Sequence, residues 1–330
     1  MRKIPLPHPF DEEPFTVADA LAAGVARSRL RASDLSREFH GVRSNVAATT
    51  LVQRCRALAT RLPPDAAFSH ATAALLIGAP LPPELERDPT LHVTVPAPRR
   101  APRGRHVVGH QSRSVRTWSV RGVRITVPEQ TWCALAETLR LDDLVAVGDH
   151  LVDTTRPIVS QAMLRAEVTS SSGRGVRALR SALALIDGRA QSRPESRTRT
   201  ICTVAGLGPC IPNPDIFDEH GRFVARTDLD LPRLMLYLEY QGDYHRDAAQ
   251  WRRDMTRRAR IEEVTGRRVM EINADDLRDP EELVRRVLAL ARATRPGIDL
   301  PRVANGWSRL LAVPGNSTRY RRGAPSADVR

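Results

Sequence analysis

Apolar and polar positions along the chain alternate with helical period in some stretches and with strand period in others. Val17, Ala20 and Leu21 recur at helical spacing behind Thr16. Thr16 can cap that helix, with Asp19 three residues on closing a capping box, and Gly24 stops it. A second short helix is expected over Arg27-Ser28-Arg29-Leu30-Arg31, with Leu30 pointing inward and the arginines outward. Residues 37–43 could follow as a wing strand, and residues 50–62 as a short helix before Pro63-Pro64. Between 65 and 187, helices alternate with strands. Ser69 caps a helix through Leu76, whereas Leu91-His92-Val93-Thr94-Val95 and Val123-Arg124-Ile125-Thr126-Val127 alternate like strands. Pro96 to Arg105 reads as an exposed loop. Pro128 opens a helix through Leu139, and Leu141 to Leu151 forms the next. Ser170-Ser171-Ser172-Gly173 is a flexible break, and the helix after it ends near Asp187-Gly188.

The last third has a sharper order. Ser192-Arg193-Pro194-Glu195 opens a helix running to about Ala205, with Gly206 as its stop. Residues 223–230 read as one strand, and Leu234 to Tyr240 as an almost wholly apolar strand, the pattern of a sheet centre buried on both faces. A long helix from about Asp247 to Val264, a strand over Arg268-Val269-Met270-Glu271-Ile272 and a helix from Asp279 through Ala293 complete it. The predicted organisation is therefore multidomain α/β. It comprises a DNA-binding winged helix-turn-helix (1–62), an α/β middle domain (63–187), an α/β/α domain (188–296) and a tail (297–330). Beyond Pro314 the tail is Gly-, Pro- and Arg-rich and expected to be mostly disordered.

Charge adds a partner. The formal net charge is +13, the electrostatic footprint of a polyanion binder, nucleic acid or a membrane surface. A composition biased towards arginine, with Lys3 as the single lysine, does not by itself create that excess. Aromatic residues make up only 4%, so the cores must rest on Leu, Val and Ala. No stretch approaches 18 apolar residues, which argues against a membrane partner. The start, Met1-Arg2-Lys3-Ile4, lacks the apolar run of a signal peptide, and the expected location is cytoplasmic. Cys55, Cys133, Cys202 and Cys210 form no C-x-x-C pair and read as reduced thiols. His70, His92, His106 and His110 match no zinc spacing and read as structural or surface histidines.

Chemistry concentrates in the last third. Asp228 stands on the first predicted strand and Glu239 at the end of the second. A carboxylate ending a buried strand is costly unless something compensates it. A divalent cation is the natural compensator, since carboxylates and a main-chain carbonyl are the hard oxygen ligands that Mg²⁺ prefers. Asp230 competes with Asp228 for that role. Glu195 can close a capping box with Ser192, and His245 can cap the following helix. On the second predicted helix, Arg27, Ser28, Arg29 and Arg31 suit a recognition surface, because arginine reads guanine edges and neutralises phosphates.

Two stretches resemble known families. Arg226-Thr227-Asp228-Leu229, Glu239-Tyr240-Gln241-Gly242-Asp243-Tyr244-His245, Asp254 with Arg258, and Val269-Met270-Glu271-Ile272-Asn273-Ala274-Asp275-Asp276-Leu277 resemble the PD-(D/E)XK nucleases. Within them the likeness is to the branch of very-short-patch-repair-like endonucleases, over about a hundred residues. It implies a restriction-endonuclease-like fold with Asp228 and Glu239 binding Mg²⁺ or Mn²⁺ and the Tyr240 carbonyl as a third ligand. It further implies Glu195 as the acid of the first helix and His245 beside the scissile phosphate. Gln241 stands where the family has lysine, and glutamine can orient water but neither supplies positive charge nor takes a proton. The residues Phe15-Thr16-Val17-Ala18-Asp19-Ala20-Leu21-Ala22-Ala23-Gly24, Arg29-Leu30-Arg31 and His40-Gly41-Val42-Arg43 resemble the winged N-terminal domain of AbiEi-type antitoxins, with Phe68–Ala74 and His92–Pro96 extending the likeness. That implies promoter DNA as partner, with Arg27, Ser28, Arg29, Arg31 and Arg43 in contact, and a cognate toxin or repair protein as a second partner. Two functions follow as expectations. One is a DNA-binding, metal-dependent endonuclease. The other is an antitoxin-like transcriptional regulator with a catalytically inactive nuclease fold.

Overall fold

A computed structural model describes residues 5–242 and 248–312, the side chains of residues 248–250 excepted. The fold is mixed α/β, and the chain divides into two units, residues 1–134 and 135–330. No helix among the described residues is long and apolar enough to cross a membrane.

In the first unit β1 (Phe15–Thr16) leads into α1 (Val17–Ala22) and α2 (Arg27–Leu30), and β2 (Val42–Arg43) returns antiparallel to β1. Thr16 Oγ1 accepts from Asp19 N at 3.0 Å, and Gly24 leaves the helix at φ +82°, a conformation that costs glycine nothing. Leu6, Phe15, Ala20, Val25, Leu30 and Leu35 close a small core here. Beyond come α3 (Leu51–Ala59), β3 (Ala67–Phe68), α4 (His70–Leu76), α5 (Pro83–Glu86), β4 (Leu91–Pro96), β5 (Arg103–Gly104), β6 (Val107–Ser112), β7 (Thr117–Val120), β8 (Val123–Thr126) and α6 (Pro128–Leu135). The strands form one mixed sheet in the order β5-β6-β4-β3-β8-β7. Leu91, Val93 and Val95 put one face of β4 into the core, as the alternating pattern predicts. The other face, carrying His92 and Thr94, is buried as well.

Two expectations change in this unit. The strand expected over residues 37–43 is only the two-residue β2. The boundary at 62/63 is also absent, because Phe39, Val42, Cys55 and Leu58 share one core with Leu91, Val93 and Ile125 of the sheet. A segment this short cannot bury enough apolar surface alone, and it borrows the sheet's.

The second unit runs α7 (Leu141–Leu151), α8 (Gln161–Ser170), α9 (Val176–Leu185), α10 (Arg193–Val204), β9 (Ile211–Pro212), β10 (Asp215–Phe217), β11 (Phe223–Arg226), β12 (Leu229–Leu231), β13 (Leu236–Tyr240), α11 (Ala248–Thr265), β14 (Arg268–Ile272), α12 (Ala274–Arg278) and α13 (Pro280–Thr294). Its sheet has the order β14-β13-β12-β9, with β13 and β14 parallel across the α11 crossover and the other pairs antiparallel. The expected strand 223–230 breaks at Thr227-Asp228: β11 pairs with β10 and β12 with β13. The expected strand 234–240 begins at Leu236, after a 3₁₀ turn over Pro232–Leu234 and Met235 at φ +57°.

The boundary expected at 187/188 falls instead near 135, because α7 packs on α10. Asp142 and Asp143 of α7 are buried, and Arg197 Nε donates to Asp142 Oδ2 and Arg193 Nε to Asp143 Oδ1, each at 2.8 Å. In the sequence Asp142-Asp143 is an ordinary acidic first turn. Only the fold brings arginines from fifty residues away to compensate it. In the expected tail, Trp307 and Leu311 are buried in a 3₁₀ turn against α10, and the stretch from Pro314 lies outside the described residues.

Candidate functional site

The site is built at the junction of β12 and β13. Leu229 pairs with Leu238 in antiparallel register, so Asp228, one residue earlier, stands opposite Glu239. Directly opposed residues share a face with Cβ atoms about 4.5–5.5 Å apart. Asp228 Oδ2 accepts the Tyr240 N–H at 2.7 Å, which fixes the carboxylate over the end of β13. Burial pushes the Asp228 carboxyl up to about 6, and the charges of Glu195 and Glu239 push the same way. The Tyr240 N–H and the Arg257 charge pull it down.

Glu239 is 6% exposed, and α11 covers it. Arg257 and Ile261 are four residues apart on α11 and so share a helix face. Ile261 fills the small core with Ala225, Tyr237 and Val269, and Arg257 is thereby carried over Glu239. Its Nη1 donates to Glu239 Oε2 at 3.0 Å, and Nη2 lies 2.9 Å from Oε1. Nη2 donates to the Arg226 carbonyl instead, so Oε1 has an ion-pair neighbour but no aligned hydrogen bond, and it is fully enclosed. The Thr227 hydroxyl beside Asp228 is likewise buried without a partner. A buried oxygen left unsatisfied costs about 1–3 kcal/mol. These oxygens and the facing carboxylates are a hard donor set that fits a divalent cation.

Glu195, at the start of α10, faces this pair electrostatically but is also engaged locally. Ser192 Oγ accepts from Glu195 N at 3.3 Å, and Glu195 Oε2 accepts from Gln191 N at 2.9 Å. Asn213 Nδ2 donates to the same oxygen at 2.7 Å, while Asn213 N donates to the Asp228 carbonyl at 3.0 Å. Asn213 therefore ties the α10 acid to the Asp228 backbone. Sequence reasoning passed over it, although Pro212-Asn213-Pro214 announces a turn. Arg257 was missed too, since an arginine on an arginine-rich helix carries no mark of its own. The neighbouring Arg258, singled out by the resemblance, pairs with Glu262 and Glu271. Asp230 is drawn away by Arg267 at 2.6 Å. Gln241 lies two residues past Glu239, its N–H donating to the Ile272 carbonyl at 2.7 Å. His245 lies outside the described residues.

The raised Asp228 value has a testable sign. The folded chain holds this proton to a higher pH than the unfolded chain does. The Asp228 contribution to stability is therefore present below about pH 3.8 and lost as pH rises towards 6. A cation bound there must displace the proton, so its affinity should fall as pH drops below about 6, approaching tenfold per unit. Mn²⁺ titration calorimetry between pH 5 and 8 checks this; a flat profile, or one unchanged in Asp228→Asn, would remove Asp228 from the site.

At the other end of the chain the arginines sort into two groups. Arg27, Ser28 and Arg31 are exposed. Arg29 does not point outward as expected. It is 8% exposed, bidentate to Asp34 at 2.9 and 3.1 Å. Arg43 donates from Nε to the Leu30 carbonyl at 2.8 Å and from Nη1 to the Val42 carbonyl at 2.7 Å, closing the turn after α2. One arginine of the one-turn α2 is thus turned onto the Asp34 charge instead of facing solvent.

Among known proteins, the chain is 30% identical over 243 residues to "Uncharacterized protein MT2308" of Mycobacterium tuberculosis strain CDC 1551 / Oshkosh, covering 72% of this chain and 85% of the relative. The same figures hold for "Uncharacterized protein Rv2248" of strain ATCC 25618 / H37Rv. No family model matches the chain. No solved structure matches it.

Proposed function

The chain belongs to the family of these two mycobacterial proteins, and we propose that it is a DNA-binding protein whose second unit hydrolyses DNA phosphodiester bonds with Mg²⁺ or Mn²⁺. The observation that carries this reading is the placement of half-buried Asp228, one residue before β12, opposite buried Glu239 on β13, with unsatisfied oxygens beside them. The order α10, antiparallel strands, α11 crossover and parallel β14 supports a PD-(D/E)XK-like domain. Asp228 and Glu239 would hold the metal, with the Tyr240 carbonyl as a third ligand. A divalent cation held there would lower the pKa of a water and neutralise charge on the phosphoryl oxygens. Glu195 holds Asn213 and thereby the Asp228 backbone, and Gln241 orients water at the strand end. Incubation of supercoiled plasmid with the chain and Mg²⁺ or Mn²⁺, against an EDTA control, tests the proposal: nicked or linear product only with metal supports it, and intact plasmid with either ion rejects it.

Arg257 favours a second reading. Its guanidinium already compensates Glu239, and Gln241 replaces the family lysine; both suit an antitoxin-like regulator whose nuclease fold is kept for binding. Either reading needs DNA contact. Arg27 and Arg31 supply it in our proposal, from the exposed side of α2. The double variant Arg27→Ala with Arg31→Ala should bind duplex DNA several-fold more weakly. Its salt slope should shrink by roughly 0.9 for each phosphate that the arginines no longer neutralise. Fluorescence anisotropy across a salt series measures both, and an unchanged slope would assign DNA contact elsewhere.

A further inference from the structure

We propose that His70, His92 and His110 form a binding site for a nitrogen-preferring first-row divalent cation, Zn²⁺ foremost, independent of the carboxylates of the second unit. The strand β4 carries its apolar side chains on one face and His92 and Thr94 on the other, and that second face is buried under the start of α4. β6 lies parallel to β4 with His110 beside Thr94, which sets His110 on the same face as His92. α4 contributes His70. One ring nitrogen from each histidine lies within 4.8 Å of the other two. His92 Nδ1 and His110 Nε2 approach to 2.9 Å, and the three rings stack within 17–22° of parallel.

Hydrophobic packing gives no reason for such a cluster. A buried polar face is retained when its groups are satisfied or used, and here the surroundings arrange the imidazoles. Ser69 N donates to the His92 carbonyl, and His92 N donates to Thr72 Oγ1. Thr94 Oγ1 donates to Ser69 Oγ at 2.7 Å, and Ser69 Oγ lies 2.9 Å from His70 Nδ1. In the tautomer whose Nδ1–H donates to Ser69, His70 presents the lone pair of Nε2. Metal-bound histidines are oriented in this way, by a hydrogen bond from the other ring nitrogen. His70 also sits at φ +51°, uncommon for a side-chain-bearing residue, and that backbone turn brings its ring onto His110 at 3.7 Å between centroids.

Burial favours the neutral form of all three imidazoles, the form that ligates metal, and repulsion from the neighbouring histidines adds to it at His70 and His92. Tetrahedral Zn–N bonds of about 2.0–2.1 Å separate ligand nitrogens by about 3.3 Å. The 2.9 Å contact opens a little, the third nitrogen closes from within 4.8 Å, and the stacked rings turn so that their in-plane lone pairs converge on the ion. His70 and His110 are partly exposed, and a water can complete the three-histidine pattern of a zinc site with an exchangeable ligand.

The test uses the full chain stripped with EDTA. Zn²⁺ affinity is read by competition with a chromophoric chelator, and Co²⁺ coordination by its visible absorption. The proposal expects one Zn²⁺ per chain bound in a way that depends on the histidines, a Co²⁺ spectrum of four- or five-coordinate intensity, and metal-induced thermal stabilisation. His110→Ala and His70→Ala should lose more than the roughly 10- to 100-fold in affinity that follows from removing a hydrogen-bond partner of a metal ligand. Asp228→Asn, at the other site, should leave Zn²⁺ affinity unchanged. Circular dichroism verifies the fold of each variant, and His110→Gln, which keeps bulk and polarity, replaces His110→Ala if that chain unfolds. Absence of stoichiometric Zn²⁺ binding in the wild type overturns the proposal. So does equal affinity in the folded His110 and His70 variants, or loss of binding in Asp228→Asn alone.

Discussion

On the proposed nuclease reading, Glu239→Gln is expected to reduce metal-dependent DNA cleavage by about 10²- to 10⁴-fold. Several kcal/mol of transition-state charge stabilisation depend on a correctly held cation, and each 1.36 kcal/mol is tenfold in rate. The substitution keeps the shape of the side chain and removes one of two facing charges. Its effect on metal-free stability should be small, because two changes oppose. Arg257 loses its carboxylate, but its side chain is 41% exposed and water recovers the charge. Asp228 loses a repulsive neighbour and is relieved. Metal separates the two readings further. A ligand bound only by the folded state at a hundred times its Kd stabilises by about 2.7 kcal/mol. Wild type should melt higher with saturating Mn²⁺, and Glu239→Gln should lose that increment together with cleavage. Plasmid cleavage and calorimetric melting read both. If wild type neither cleaves nor gains stability from metal, while Arg257→Ala lowers the melting point as Glu239→Gln does, the pair is structural. The regulator is then the better account.

Asp149→Ala should destabilise the second unit by about 3–5 kcal/mol, the cost of leaving a buried charge without its partner. Asp149 of α7 and Arg199 of α10 are 1% and 5% exposed, with Nη2 donating to Oδ2 at 2.7 Å. Arg199 Nη1 also donates to the Leu185 carbonyl at the end of α9, and Asp149 Oδ1 accepts the Asp187 N–H at 2.7 Å. One ion pair thus joins three helices and the turn after them. Burial holds the Asp149 carboxyl above its ordinary pKa, although the Arg199 charge draws it down. Removing the acid strands the guanidinium and leaves the Asp187 N–H without an acceptor. For a unit of this size each kcal/mol shifts Tm by about 2–4 °C, so a fall of about 6–20 °C is expected. Replacing both residues with apolar ones of similar volume should cost far less, because the desolvated charges leave together. A single-variant cost below about 1 kcal/mol would show that Arg199 finds water or another acceptor.

Local rules determined much of this protein. Periodicity and stop residues place the helices Leu141–Leu151 and Arg193–Val204 and the strand Arg268–Ile272, because helix caps and strand alternation act over four or five residues. Glu239 stands out in the sequence for a similar reason, as a charge at the end of an apolar run, whereas Asp228 stands out only through the stretch Arg226-Thr227-Asp228-Leu229. Their register, one opposite the other, depended on where the strand broke at Thr227-Asp228, which pairing decides and a single strand cannot reveal. Arg257 over Glu239, Arg29 turned onto Asp34 and the Asp142-Asp143 pair under Arg193 and Arg197 were decided by tertiary structure. A buried charge is matched by whichever opposite charge the fold carries to it, at any separation along the chain. The histidines are the clearest case. Eighteen residues separate His92 from His110, with no ligand spacing between them, and in the sequence they are ordinary polar positions. The parallel pairing of β4 with β6 and the helix laid across them bring three imidazoles to one point, because contacts between strands depend on sheet register and carry no trace in local spacing.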